Sequence, residues 1–130
     1  MATHAAARPS FAQFTSYWMP VFVYIAVILV VSAQPGLAPP VNFLNADKFY
    51  HVLEYGGLGV LLVRAFRATT LTAWPLLATL LALSLGTIIG ASDEIFQAFV
   101  PGRESSIFDV LADVSGLLLA QLVFLLVVRE

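Results

Sequence analysis

Long apolar runs separated by short polar breaks organise this chain. The runs occupy about Tyr17–Ala33, Asp47–Phe66, Thr72–Phe99 and Ile107–Val128, each close to or above the roughly 17 to 25 residues that a membrane-crossing helix needs. Turn-forming residues fill the breaks: Gln34-Pro35-Gly36 with Pro39-Pro40, then Arg67-Ala68-Thr69-Thr70, then Val100-Pro101-Gly102-Arg103. The pattern predicts an all-α fold, a bundle of four transmembrane helices forming a single domain over residues 1–130, with no internal repeat.

Composition sharpens the class. The chain is 60% hydrophobic and 11% charged, whereas soluble domains carry roughly 25% charged residues. A formal net charge of -2 provides no basic footprint for nucleic acid, so no such partner is expected. The absence of cysteine excludes disulfides, thiolate metal sites and cysteine nucleophiles, and leaves the redox compartment unread. Val31-Ser32-Ala33 resembles a signal-peptide cleavage site, but the apolar run before it exceeds the usual core of about 7 to 15 residues. The first run is therefore expected to remain as a membrane helix.

Basic residues set the expected orientation. Arg8, Arg64, Arg67 and Arg129 fall on one side of the four spans, and Lys48 and Arg103 on the other. By the positive-inside rule, this multi-pass protein of the cytoplasmic membrane has both termini in the cytoplasm. Every carboxylate except Glu130 then lies in the outer half.

Five of the eight carboxylates, together with Arg103, occur between Ser92 and Gly116. A charge at a helix centre costs about 2.5 to 3.5 kcal/mol on insertion scales, so these groups need partners or water. Asp47, His51 and Glu54 follow i, i+4, i+7 spacing along one helix face, and Asp109, Asp113 and Gly116 repeat it on the last helix. At 1.5 Å per residue, Glu54 lies ~10 Å beyond Asp47 and Asp113 ~9 Å beyond Ile107, which puts the two acids at similar depth. In the third run Gly86 and Gly90 form a GxxxG step in line with Asp93, Glu94 and Gln97, a small face that admits another helix beneath a polar top. Three polar stripes thus converge on the outer end of the bundle, with Arg103 as the natural counter-ion.

Several of these residues also have local explanations. Pro101-Gly102 suits the centre of a type II turn. Ser106 and Asp109 have capping-box spacing, which competes evenly with a site role for Asp109. Asp47 would complement a helix N-terminus. Asp113 stands nearly two turns inside its helix, beyond the reach of capping or the terminal dipole, and is the strongest single candidate. His51 is as readily a packing histidine as a ligand. Tyr17, Trp18 and Trp74 read as interfacial anchors.

Asp47-Lys48, His51, Tyr55, Ser92-Asp93-Glu94, Gln97, Phe99-Val100-Pro101-Gly102-Arg103, Ser106, Asp109, Ala112-Asp113 and Gly116, taken in order, resemble the VanZ-like integral membrane proteins over roughly Asp47 to Ala120. The resemblance implies a small cell-envelope membrane protein; the family's namesake is associated with resistance to lipid-bearing glycopeptides. Asp113 is a departure, since Asn is expected there in many relatives, and it adds a negative charge to the site. The function favoured over catalysis is binding of an envelope lipid head group or lipid-bearing glycopeptide by Asp47, Lys48, His51, Glu54, Tyr55, Asp93, Glu94, Gln97, Arg103, Asp109 and Asp113. The alternatives are an accessory subunit of a larger membrane protein complex, a proton-coupled transporter built around Glu54, and a metal-assisted lipid-phosphate hydrolase. In the last, His51, Asp93, Glu94 and Asp113 would hold a divalent cation; no other cofactor is expected.

Overall fold

The computed structural model describes residues 8–71 and 74–128, and the described residues form helices without a strand. The helices are α1 (Phe11–Ser32), α2 (Ala46–Ala65), α3 (Pro75–Gln97) and α4 (Ile107–Val127). Of these, α1, α3 and α4 are long and apolar enough to cross a membrane. The 20-residue α2 carries Asp47, Lys48, Glu54 and Arg64, which place it outside that class. It is instead the helix around which the others gather: it packs on all three, most extensively on α4, and buries Tyr55, Leu58, Gly59, Leu62 and Val63.

The expected boundaries need two corrections. Helix α1 begins at Phe11 rather than near Tyr17, because the Ser10 hydroxyl caps it by accepting the Gln13 N–H at 3.1 Å. The polar Gln13, Thr15 and Ser16 interrupt its first turns and hide the start from an apolar-run reading. Tyr17 and Trp18 therefore sit inside the bundle wall instead of at a helix end. The Trp18 indole N–H donates to Thr69 Oγ1 at 2.9 Å and its ring meets Phe66 edge-on, while Arg64 covers the Tyr17 ring at 4.7 Å. The second correction concerns Arg67 to Thr70, which form no open loop. Phe66–Thr70 is a π-helical turn closed by the Leu71 N–H on the Phe66 carbonyl at 2.8 Å. Thr72, where the third span was expected to begin, and Arg129 and Glu130, used in the charge bias, lie outside the described residues.

The helices alternate in direction, so α2 and α4 run parallel and meet at very short range. A methyl group on Gly116 would collide with the Val52 carbonyl oxygen and stand 2.9 Å from the Gly56 nitrogen; one on Gly59 would lie 2.8 Å from the Ala120 Cβ. The expected Gly86/Gly90 face also receives α4: Gly86 takes the Leu117 side chain, and a methyl on Gly90 would lie 2.8 Å from Asp113 Oδ2. Between lipid-embedded helices apolar burial gives no net gain over lipid contact, so such small-residue surfaces and the dispersion contacts they allow hold the helices together.

Backbone atoms, which cannot step aside, block a side chain at Gly116. Gly116→Ala is expected to destabilise the folded protein by about 1 to 3 kcal/mol, the usual cost of overpacking. Gly56→Ala is expected to be tolerated, since its new methyl would meet only the Gly116 carbonyl at 3.6 Å. Thermal unfolding in mild detergent checks this, and equal midpoints for the two variants would contradict the packing described.

Candidate functional site

The α2–α4 register builds a two-rung polar ladder. On the outer rung Lys48 Nζ donates to Asp109 Oδ1 at 2.8 Å and to Asp47 Oδ2 at 2.6 Å. On the inner rung His51 Nδ1 is 2.8 Å from Asp113 Oδ1. Because a carboxylate only accepts, the proton of that bond is assigned to Nδ1. Lys48 precedes His51 by three residues and Asp109 precedes Asp113 by four, so parallel helices bring both pairs onto the same seam. The seam is dry at depth: the Asp109 side chain is 6% exposed and that of Asp113 1%.

Helix α3 contributes two neighbouring acids with different tasks. Glu94 Oε2 accepts the Ser106 backbone N–H at 3.0 Å. In a capping box that service falls to the residue three positions into the helix, here Asp109. The expected Ser106–Asp109 box is thus not formed: the Ser106 hydroxyl caps the Phe108 N–H at 3.1 Å, Glu94 reaches across from α3, and Asp109 turns to Lys48. Asp93 points the other way, its Oδ2 accepting from the Ser32 hydroxyl at 2.7 Å and from Gln97 Nε2 at 2.9 Å. Ser32 had no polar role in the sequence reading, where it marked only a small-residue run at the end of α1.

Beside the ladder lies a cavity of about 610 Å³. Tyr24, Pro39, His51, Glu54, Arg103 and Asp109 are among its walls. The segment after α1 and the turn after α3 form part of its wall, joined by the Gly36 N–H on the Pro101 carbonyl at 3.1 Å. The turn has the expected Pro-Gly form, with Gly102 at φ +73° and the Arg103 N–H on the Val100 carbonyl at 3.2 Å. This turn also explains why Arg103, the counter-ion expected for the acids, acts on Glu54 and Asp93 through its charge at longer range and not by direct pairing. It carries Arg103 toward the loop after α1, where Nη1 donates to the Leu37 carbonyl at 3.3 Å; among the described residues Arg103 forms no ion pair. Lys48 and His51 occupy that position instead.

Apart from Lys48, which is part-exposed on the outer rung, the expected residues fall into two layers. Asp47, His51, Glu54, Gln97, Arg103 and Asp109 border the cavity, while Tyr55, Asp93, Glu94 and Asp113 are buried behind it. Four oxygens of that inner layer, Tyr55 Oη, Asp93 Oδ1, Glu94 Oε1 and Asp113 Oδ2, have no hydrogen-bond partner. The structure groups His51, Glu94 and Asp109 with possible ligand atoms within 4.8 Å of one another. The expected metal set differed, because Asp93 faces α1 and Asp113 stands behind the His51 ring. Tyr24, whose hydroxyl donates to the Glu54 carbonyl at 2.8 Å, and Glu104 also border the cavity and were missed, since nothing in their local sequence separates them from ordinary anchor and turn residues.

The VanZ/LLP1 family model matches residues 4–128, and the chain belongs to that family. No match was found among curated proteins or among solved structures. With three apolar helices of spanning length, the chain is a VanZ-like membrane protein.

The outer rung yields a stability prediction. Lys48→Met leaves the buried Asp109 carboxylate without its cation and is expected to cost about 1 to 3 kcal/mol. In an Asp109→Asn background the same change should cost little. A double-mutant cycle from unfolding in detergent measures the coupling, and additive effects would show that this pair is not formed.

Proposed function

We propose that this protein binds the polar head of an envelope amphiphile, a lipid head group or a lipid-bearing glycopeptide, in the cavity beside the α2–α4 ladder. In this reading all four helices cross the cytoplasmic membrane, with both termini inside and the cavity opening outward. Arg8, Arg64 and Arg67, at the end opposite the acids, are the described residues that favour this orientation.

The observation that carries the reading is the state of Arg103. It borders a cavity large enough for a head group, yet uses a single long hydrogen bond to a backbone carbonyl. A guanidinium has five donors in a planar fork suited to phosphate or carboxylate. Across the same space, the carboxylates of Glu54 and Asp109 can accept from hydroxyls or amines. Leu37, Pro39 and Pro40 provide an apolar approach on which the first part of a lipid tail can rest. An anion-binding fork facing acids matches an amphiphile carrying a phosphate or carboxylate beside amino or hydroxyl groups.

Losing the charge-assisted contacts of Arg103 is expected to cost about 1.5 to 3 kcal/mol, or about tenfold to a hundredfold in affinity. Arg103→Ala should therefore weaken binding of phosphatidylglycerol or of a lipid-bearing glycopeptide to the purified protein while leaving its unfolding temperature in place. Native mass spectrometry reads the first probe and calorimetry the second. Undiminished binding of both would refute the reading.

A further inference from the structure

We propose that His51 Nε2, Glu94 and Asp109 form a divalent metal site, for an ion of the zinc or manganese class, in the inner wall of the cavity. The proposal is independent of amphiphile binding, because the site is defined by its own side chains and is tested with metal alone.

The strongest observation is Glu94. The residue is 3% exposed, its Oε2 is committed to the Ser106 N–H, and its Oε1 is buried with no hydrogen-bond partner. Oε1 faces His51 Nε2 at 3.8 Å, too far for a hydrogen bond. Two ligands of one zinc ion, each about 2.0 to 2.2 Å from it, can stand at that separation. Asp109 completes the group from a third helix, with the three possible ligand atoms within 4.8 Å of one another.

The surroundings have the form that metal-bound histidine requires. The Nδ1–H of His51 donates to Asp113 Oδ1 at 2.8 Å, and a carboxylate in this position fixes the tautomer, aims the opposite nitrogen and raises its basicity. Asp113 is thus a positioning residue. Lys48 holds Asp109 in the same way from the outside.

Charge supports the same conclusion. Glu94, Asp109 and Asp113 are buried together, and among the described residues Lys48, shared with Asp47, is the one permanent cation in an ion pair with any of them. If all three are ionised, Lys48, which also serves Asp47, cannot neutralise them in an apolar bundle, and a divalent ion offsets part of the excess. Asp93 lies outside the ligand group, its Oδ2 taken by Ser32 and Gln97. One imidazole with two carboxylates favours zinc or manganese over calcium, which takes oxygen ligands alone. Because His51 and Asp109 also border the cavity, one coordination position faces the space where a water or a ligand oxygen would sit.

The rival is a protonated His51 bridging Asp113 and Glu94 as a plain ion pair, which needs no metal. Full-length protein, free of any affinity tag, is stripped with chelator in detergent and titrated with Zn²⁺ and Mn²⁺ alone. The proposal expects saturable binding of about one equivalent, lost in His51→Ala and weakened about tenfold in Asp113→Asn. Asp93→Asn, at an equally buried acid outside the ligand group, should lower the affinity far less than His51→Ala does. Co²⁺ loading of the unaltered protein should give visible d–d bands of a low-symmetry nitrogen and oxygen site, a readout that requires no variant to fold. Absence of saturable binding with either ion, or binding that survives both His51→Ala and Asp113→Asn, would overturn the metal site and favour the ion pair.

Discussion

The close parallel approach of α2 and α4 at Gly116 is the constraint on which the rest of the structure depends. With no side chain there, the α4 backbone rests against Val52 and Gly56. That contact fixes the register in which Lys48 meets Asp109 and His51 meets Asp113. A bulkier residue would separate the helices, and the polar rungs one and two turns above would lose their reach together. Packing of small residues and pairing of charges are therefore one design: the first sets the distance that the second requires.

The same constraint shows how α2 can be charged in an apolar protein. A helix bearing Asp47, Lys48, Glu54 and Arg64 is a poor solitary span. Surrounded by α1, α3 and α4, it directs Lys48 and His51 to acids on α4 and presents Glu54 to the cavity. The three more apolar helices leave their large residues, such as Phe22, Ile88 and Leu122, outward. The result is a bundle that is oily outside and polar along one internal seam, and the seam ends at the cavity.

Much of this was legible in the sequence, because its periodicities are strong. The existence and order of the helices followed from the apolar runs, and the Asp109, Asp113, Gly116 stripe faces α2 as i, i+4, i+7 spacing requires. What the sequence could not show were choices between partners. The spacing from Ser106 to Asp109 fits a capping box, yet Glu94 from another helix took the serine N–H and released Asp109 for Lys48. Arg103 had the right charge to pair with the acids, but from the Pro101-Gly102 turn its fork reaches the Leu37 carbonyl and acts on Glu54 and Asp93 only through space. Ser32 carried no sign of a polar contact, since a lone serine at the end of an apolar helix has many uses. Local pattern fixes which face a residue occupies; which neighbour it meets depends on contacts made across the bundle.

Because the chain has no cysteine, its helix register is open to direct measurement by engineered cross-links. Gly59 and Ala120 face each other across the α2–α4 seam, within the small adjustment needed for the Cβ separation of about 3.5 to 4.5 Å found in disulfides. Gly59→Cys combined with Ala120→Cys should cross-link within the chain on mild oxidation in the membrane, whereas Gly59→Cys with Leu126→Cys, on an outward face of α4, should not. Failure of the first pair alongside efficient cross-linking of the second would mean that α4 presents another face to α2, and the ladder built on that register could not exist.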